Sequence, residues 1–185
     1  MDKKLKLYRQ ILFNAILIIA LLIIQRAFIG ELPGMFNNLN LVVVVLLFVL
    51  VLGGLKLSII WSIAIGFLLD VFSFEPFGLY LITLSITILA AYFLLNSFFT
   101  NRSLYSFLAL ATLTIVINEF CWQVSLSFLK LFGYDRSVSI LSLDFFLNFL
   151  AQLFLSLLAI IIIFQTVNFI SHKLKPVFLF RPKKV

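Results

Sequence analysis

Residues 39–72 read LNLVVVVLLFVLVLGGLKLSIIWSIAIGFLLDVF, an apolar block broken near its middle by Gly53-Gly54 and Lys56. As one helix this block would run about 50 Å at 1.5 Å per residue, far beyond the roughly 30 Å of hydrocarbon in a bilayer. Two shorter helices folded back at the glycines fit instead, because glycine accepts the positive φ that a tight turn requires. Each arm is short for a crossing. The block therefore reads as a helical hairpin dissolved in lipid, and it sets the fold class for the chain around it.

Cutting the rest wherever polar or Gly/Pro clusters interrupt the apolar runs predicts helices over about 10–29, 39–54, 56–72, 77–98, 103–131 and 142–170, with a basic tail at 171–185. The expectation is an all-α integral membrane bundle of six transmembrane helices forming a single domain. β-Barrel spans are excluded, since the segments are uniformly apolar and do not alternate. A signal peptide is the rival reading of the first segment, but its exit, Gln25-Arg26-Ala27-Phe28-Ile29, lacks a small-x-small cleavage site, so it reads as an anchor.

Composition agrees with lipid as the solvent. The chain has 185 residues, 64% hydrophobic and 11% charged, with a mean hydropathy of +1.23. Seven acids and fourteen bases cannot cover the surface of a water-soluble domain. The net charge of +7 comes largely from two clusters that flank the apolar body, Lys3, Lys4, Lys6 and Arg9, then Lys173, Lys175, Arg181, Lys183 and Lys184. That is topological charge and excludes nucleic acid as the expected partner. With both termini in the cytoplasm, Lys56 and Arg102 fall in inside turns. Glu31, Asp70, Glu75, Asp135 and Asp144 then fall outside, where the bases are confined to Arg26, Lys130 and Arg136. A five-helix version would place one basic terminus outside, against the same rule. The tail is expected to rest on anionic headgroups or to touch a cytosolic partner.

Catalysis needs a nucleophile with a base, paired carboxylates or a bound metal. The sequence offers no such set. The single Cys121 rules out an internal disulfide, the single His172 rules out His-rich metal sites, and no cofactor or catalytic residue is indicated. Glu119 is the one acid deep within a predicted helix, beside Asn118 and one turn before Gln123. A charge at that depth costs at least about 2.5–3.5 kcal/mol, so the residue contacts a ligand or partner, or is a protonated acid bonded to Asn118, Gln123 or Asn148. Trp61 and Trp122 read as packing residues, whereas Tyr8, Tyr80, Tyr105 and Tyr134 suit an interfacial aromatic belt.

The densest pattern is GFLLDVFSFEPFGL at 66–79. Here Gly66 allows close helix approach, Asp70 reaches the outer interface, Pro76 suits a first helical turn and Gly78 offers a second close-packing surface. A purely structural corner with a solvated Asp70 is the alternative. Arg26 and Asp70 both approach the outer interface, so an ion pair between them is also open.

The run Gly-x-x-x-Asp, then Ser-x-x-Pro-x-Gly-Leu, inside a small basic multispan chain resembles the MreD family of bacterial rod-shape-determining membrane proteins. The family's helix-three Gly and Asp map to Gly66 and Asp70, and its turn Pro and Gly to Pro76 and Gly78. One departure is Asn38-Leu39-Asn40 where the family often opens its second helix with Pro-Asp. The resemblance implies a non-enzymatic subunit of the cell-elongation machinery in the bacterial cytoplasmic membrane. Its implied partners are an MreC-type periplasmic scaffold and, directly or through it, the peptidoglycan synthases and MreB-type filaments.

The same family is similar in fold to the six-helix substrate-capture subunits of energy-coupling-factor transporters, which supplies the alternative function: capture of a vitamin or metal at an outward pocket to which Arg26, Asp70, Glu119 and Gln123 would contribute. Against it, Ala15 and Ala20 are not spaced as the docking face such subunits carry on their first helix. A lipid-processing enzyme using Asp70 and Glu75 is the third option, and Pro76 makes a plain turn the simpler reading. A homodimer is open, with no Gly-x-x-x-Gly stripe to nominate a face.

Overall fold

The computed structural model describes residues 2–97, 104–130 and 143–173, and within them the chain is helical with no strand. Six α-helices follow in order: α1 (Asp2–Ile23), α2 (Leu41–Gly53), α3 (Leu55–Phe72), α4 (Leu79–Ser97), α5 (Leu104–Lys130) and α6 (Leu143–Lys173). A π-helical segment, Ile24–Ile29, continues α1, and a short 3-10 segment, Gly34–Asn38, precedes α2. Arg102, Tyr134, Asp135, Arg136 and the basic tail beyond residue 173 lie outside the described residues.

Five stretches are long and apolar enough to cross a bilayer: Tyr8–Ile29, Leu55–Phe72, Leu79–Ser97, Tyr105–Lys130 and Phe145–Thr166. The chain is a multi-pass membrane protein by that measure. α2 departs from the expected crossing. Its 13 residues span only about 20 Å at 1.5 Å each, because Asn40 caps it at one end and Gly54, at φ +78°, turns the chain at the other. It compensates by position. Val42, Val43, Val44, Leu46, Leu47 and Leu50 are at most 3% exposed, and α2 touches each of the other five helices. An apolar sequence with no polar face belongs at such a centre.

Two packed clusters meet on this axis. One joins Ile18, Leu21 and Leu22 of α1 to Val43 and Leu46 of α2, Trp61, Ile65 and Leu69 of α3, Ile88 of α4 and Ile115 of α5. The other joins Leu47 and Leu50 of α2 to Ala91 of α4, Leu110 of α5 and Ile160 of α6. Outward, Phe13 of α1, Phe93 of α4, Phe120 of α5 and Phe154 of α6 are more than 60% exposed, as a surface solvated by lipid requires. The chain crossings put the C-terminal ends of α1, α3 and α5 and the N-terminal ends of α2, α4 and α6 at one end of the bundle, toward which the polar cavity described below lies.

Candidate functional site: a helix joint and a polar cavity

The 66–79 motif folds into one joint between α3 and α4. A Cβ on Gly66 would lie 2.6 Å from the Leu81 Cα and 3.0 Å from its nitrogen, so the two backbones touch where Gly66 stands. One turn later, Asp70 accepts the Tyr80 N–H on Oδ1 at 2.9 Å and the Leu81 N–H on Oδ2 at 3.1 Å. Those amides belong to the first turn of α4, which has no intrahelical acceptor for them. A carboxylate at a helix N-terminus also meets the positive end of the helix dipole. Asp70 is thus the cap of α4, supplied from the preceding helix, and is 4% exposed.

The segment between is shaped for that reach. Ser73 Oγ donates to the Asp70 carbonyl and accepts the Glu75 N–H. The Pro76 carbonyl accepts the Leu79 N–H at 3.3 Å, and Gly78 sits between them at φ +96°. A Cβ added at Gly78 would meet no atom within 4 Å, so the role of this glycine is backbone conformation, where close packing was expected. Pro76 stands before the helix and opens the turn instead of occupying the first helical turn. The Arg26–Asp70 ion pair that the sequence left open does not form: both Asp70 oxygens hold backbone amides, and Arg26 Nη2 donates to the Tyr80 hydroxyl at 3.4 Å with its guanidinium 5.7 Å from that ring's centre.

Beside the joint lies a cavity of about 300 Å³, walled by α1's π segment, the loop before α2, and the neighbouring ends of α3, α4, α5 and α6. Part of its wall is bonded internally. Gln25 bridges the Leu39 carbonyl and the Leu41 N–H, at 3.0 and 2.9 Å. Asn40 accepts the Val43 N–H as the cap of α2, which gives that residue its role. Asn38 donates to Asn148 across to α6 at 3.2 Å.

Other wall groups keep unused bonding capacity. Glu119 is half-buried and receives one bond, from Gln123 Nε2 to Oε1 at 3.0 Å. Asn118, 8% exposed, meets Thr87 at 3.3 Å, and the single Thr87 proton also reaches the Thr83 carbonyl at 2.7 Å. The Thr87 hydroxyl is thus shared between that carbonyl and Asn118 Oδ1, which accepts from it, and the Asn118 Nδ2 makes no hydrogen bond among the described residues. Gln152 and Trp122 line the cavity, and neither side chain has a hydrogen-bond partner among the described residues. Trp122 packs on Tyr80 with ring centres 4.7 Å apart.

Of the residues singled out from sequence, Arg26 and Glu119 meet at this cavity, Gly66 and Asp70 belong to the joint, and Gln123 supports Glu119 from an adjoining apolar groove. Gln25, Asn118, Trp122 and Gln152 also line the cavity, and the one signal for the amides in the sequence is their isolation within apolar runs. Among the described residues no three His, Cys, Asp or Glu side chains group as a metal site. No protein-family model, curated protein or solved structure matches the chain.

Proposed function

We propose that the chain is a non-enzymatic subunit of a bacterial cell-elongation complex, seated in the cytoplasmic membrane with both termini in the cytoplasm. It binds an MreC-type scaffold and supports cell shape and peptidoglycan synthesis through the synthases and MreB-type filaments. The joint is the observation that supports this reading. Gly66, Asp70, Pro76 and Gly78, on which the resemblance to the MreD family rests, form one mechanical unit in which close approach, cap and turn each require that residue type at that spacing. Because Gly66 and Asp70 face inward, partner contact falls to other surfaces of the bundle. Purification of the tagged chain from native membranes in mild detergent, followed by identification of co-eluting proteins, is expected to return an MreC-type scaffold. Its absence rejects the reading.

The polar cavity favours a second reading, a small-molecule capture subunit of a transporter. The same purification separates the two, since capture predicts co-eluting ATPases and a coupling subunit.

A further inference from the structure

We propose that the groove between α5 and α6 is the docking site of one transmembrane helix from a different protein, a helix that carries a basic or amide side chain inside its span. The inference deepens the subunit reading by naming the surface that holds the partner, and it rests on that reading's having a partner embedded in the membrane.

The first ground is the course of the two helices. α5 and α6 pack at one end, where Leu110 and Ile160 share a core and the Phe107 and Phe164 rings lie 6.5 Å apart. Toward the other end a groove of about 420 Å³ opens between them, walled by Val116, Phe120 and Val124 of α5 and by Phe145 and Phe149 of α6. The two α6 rings stack with centres 6.5 Å apart and planes 5° from parallel, which makes that wall flat. The three α5 residues are exposed, and α6 carries the least buried of the five long apolar spans. A groove flanked by two helices takes a row of side chains from a third.

The second ground is a polar line along the groove. Glu119, Gln123 and Ser127 stand four residues apart on α5, so they share one face, and all three line the groove. Gln123 Nε2 donates to Glu119 Oε1 at 3.0 Å, and Ser127 Oγ donates to the Gln123 carbonyl at 2.8 Å. What remains unused among the described residues is chiefly acceptor: Glu119 Oε2, Gln123 Oε1 and the lone pairs of Ser127 Oγ. A donor or a positive charge completes that line.

The third ground is depth, which decides the occupant. Glu119 lies within the apolar span Tyr105–Lys130, and the eleven residues to Lys130 place it about 16 Å along the helix from that end. An acyl chain reaches this depth but offers no donor, and a lipid phosphate would repel the carboxyl. A second copy of the chain, paired about a two-fold axis, would set acceptor against acceptor. A helix from another protein brings a donor to that depth with its own backbone satisfied, and polar side chains bonded across helices are a known adhesive in lipid.

The test places a photo-crosslinking residue at Val124, in the groove, and at Phe93 of α4 as an outward control, in the full chain in native membranes. Mass spectrometry of the crosslinked peptides is expected to return, from Val124, a transmembrane segment of another protein with a Lys, Arg, Asn or Gln within one turn of the crosslink. Phe93 should return lipid. Glu119→Leu, and separately Val124→Trp, which fills the groove without touching a bonded group, should each lower co-elution of that protein at least about tenfold, the equivalent of about 1.4 kcal/mol. Where the partner residue is basic, Glu119→Lys should abolish co-elution and a basic-to-Glu change in the partner should restore it. A Val124 crosslink to a second copy, to the chain itself or to lipid alone overturns the inference, as does co-elution unchanged in both groove variants. If the scaffold co-elutes with parent and groove variants alike, the subunit reading stands and this inference falls. If no scaffold co-elutes with the parent, the reading itself has failed, so the two failures are distinguishable.

Discussion

The joint and the cavity are adjacent and both polar, yet they treat their polar groups differently. At the joint each carboxylate oxygen of Asp70 meets one amide of α4, and the space at Gly66 is filled by the Leu81 backbone. At the cavity neither the Gln152 nor the Trp122 side chain has a hydrogen-bond partner among the described residues, and Glu119 and Asn118 are only partly bonded. In a bundle solvated by lipid, burying a polar group without a partner costs on the order of 1–3 kcal/mol. A fully matched set therefore adds stability, whereas a partly matched set persists where something else answers it. The state of the bonds distinguishes the joint from the cavity, although in the framework the Trp61 indole N–H and the Ser85 and Ser156 hydroxyls are buried without a partner.

The largest effect expected is at the cap. Asp70→Ala leaves two α4 amides without an acceptor and removes a charge-assisted pair of bonds, so it should destabilise the bundle by about 2–4 kcal/mol. Asp70→Asn keeps one acceptor and should lose about half as much. Thermal unfolding in detergent reads both. Unchanged stability in Asp70→Ala, with loss of partner binding, would break the comparison by making the joint a contact surface.

Gly66→Ala comes next. Its new methyl would meet backbone, which cannot rotate away, so α3 and α4 must separate at a cost of about 1–3 kcal/mol. Crosslinking between cysteines introduced on the facing helices should slow accordingly. Gly78→Ala, forced to a φ of +96°, should cost about 1–2 kcal/mol. If it cost nothing, the turn would not be what aims α4 at Asp70.

Much of the framework is legible without coordinates. Block length against bilayer thickness separates α2 from α3, and the positive φ needed between them falls on Gly54 of the Gly53-Gly54 pair. What sequence reading misses is tertiary. Asp70 reads as an interface charge because its partners are backbone amides of another helix, ten and eleven residues on, and amides leave no mark in a residue pattern. Gly78 reads as a packing surface because spacing does not distinguish a missing Cβ from a positive φ. The brevity of α2 depends on Asn40 acting as a cap, an ordinary start signal that a hydropathy count absorbs. Glu119 stands out alone, but Gln25, Asn118 and Gln152 sit on three separate elements, and only packing brings them to one cavity.

The smallest effect expected is the most discriminating. Glu119→Gln and Gln152→Leu remove cavity groups that add little to the framework. Glu119 retains an acceptor for the Gln123 amide after substitution, and Gln152 loses no bond to any of the described residues. Without bound ligand, stability should therefore stay within about 0.5 kcal/mol of the parent, or rise slightly for Gln152→Leu as an unpartnered amide gives way to an apolar side chain. The Asp70 variants set the scale in the same detergent, so unchanged stability at the cavity is not a failure of the assay. A loss of about 2 kcal/mol or more in Gln152→Leu, on the scale of an unmatched buried group, would mean that its amide is bonded within the folded chain. The cavity would then be a second joint, and the contrast that assigns it to a ligand would disappear.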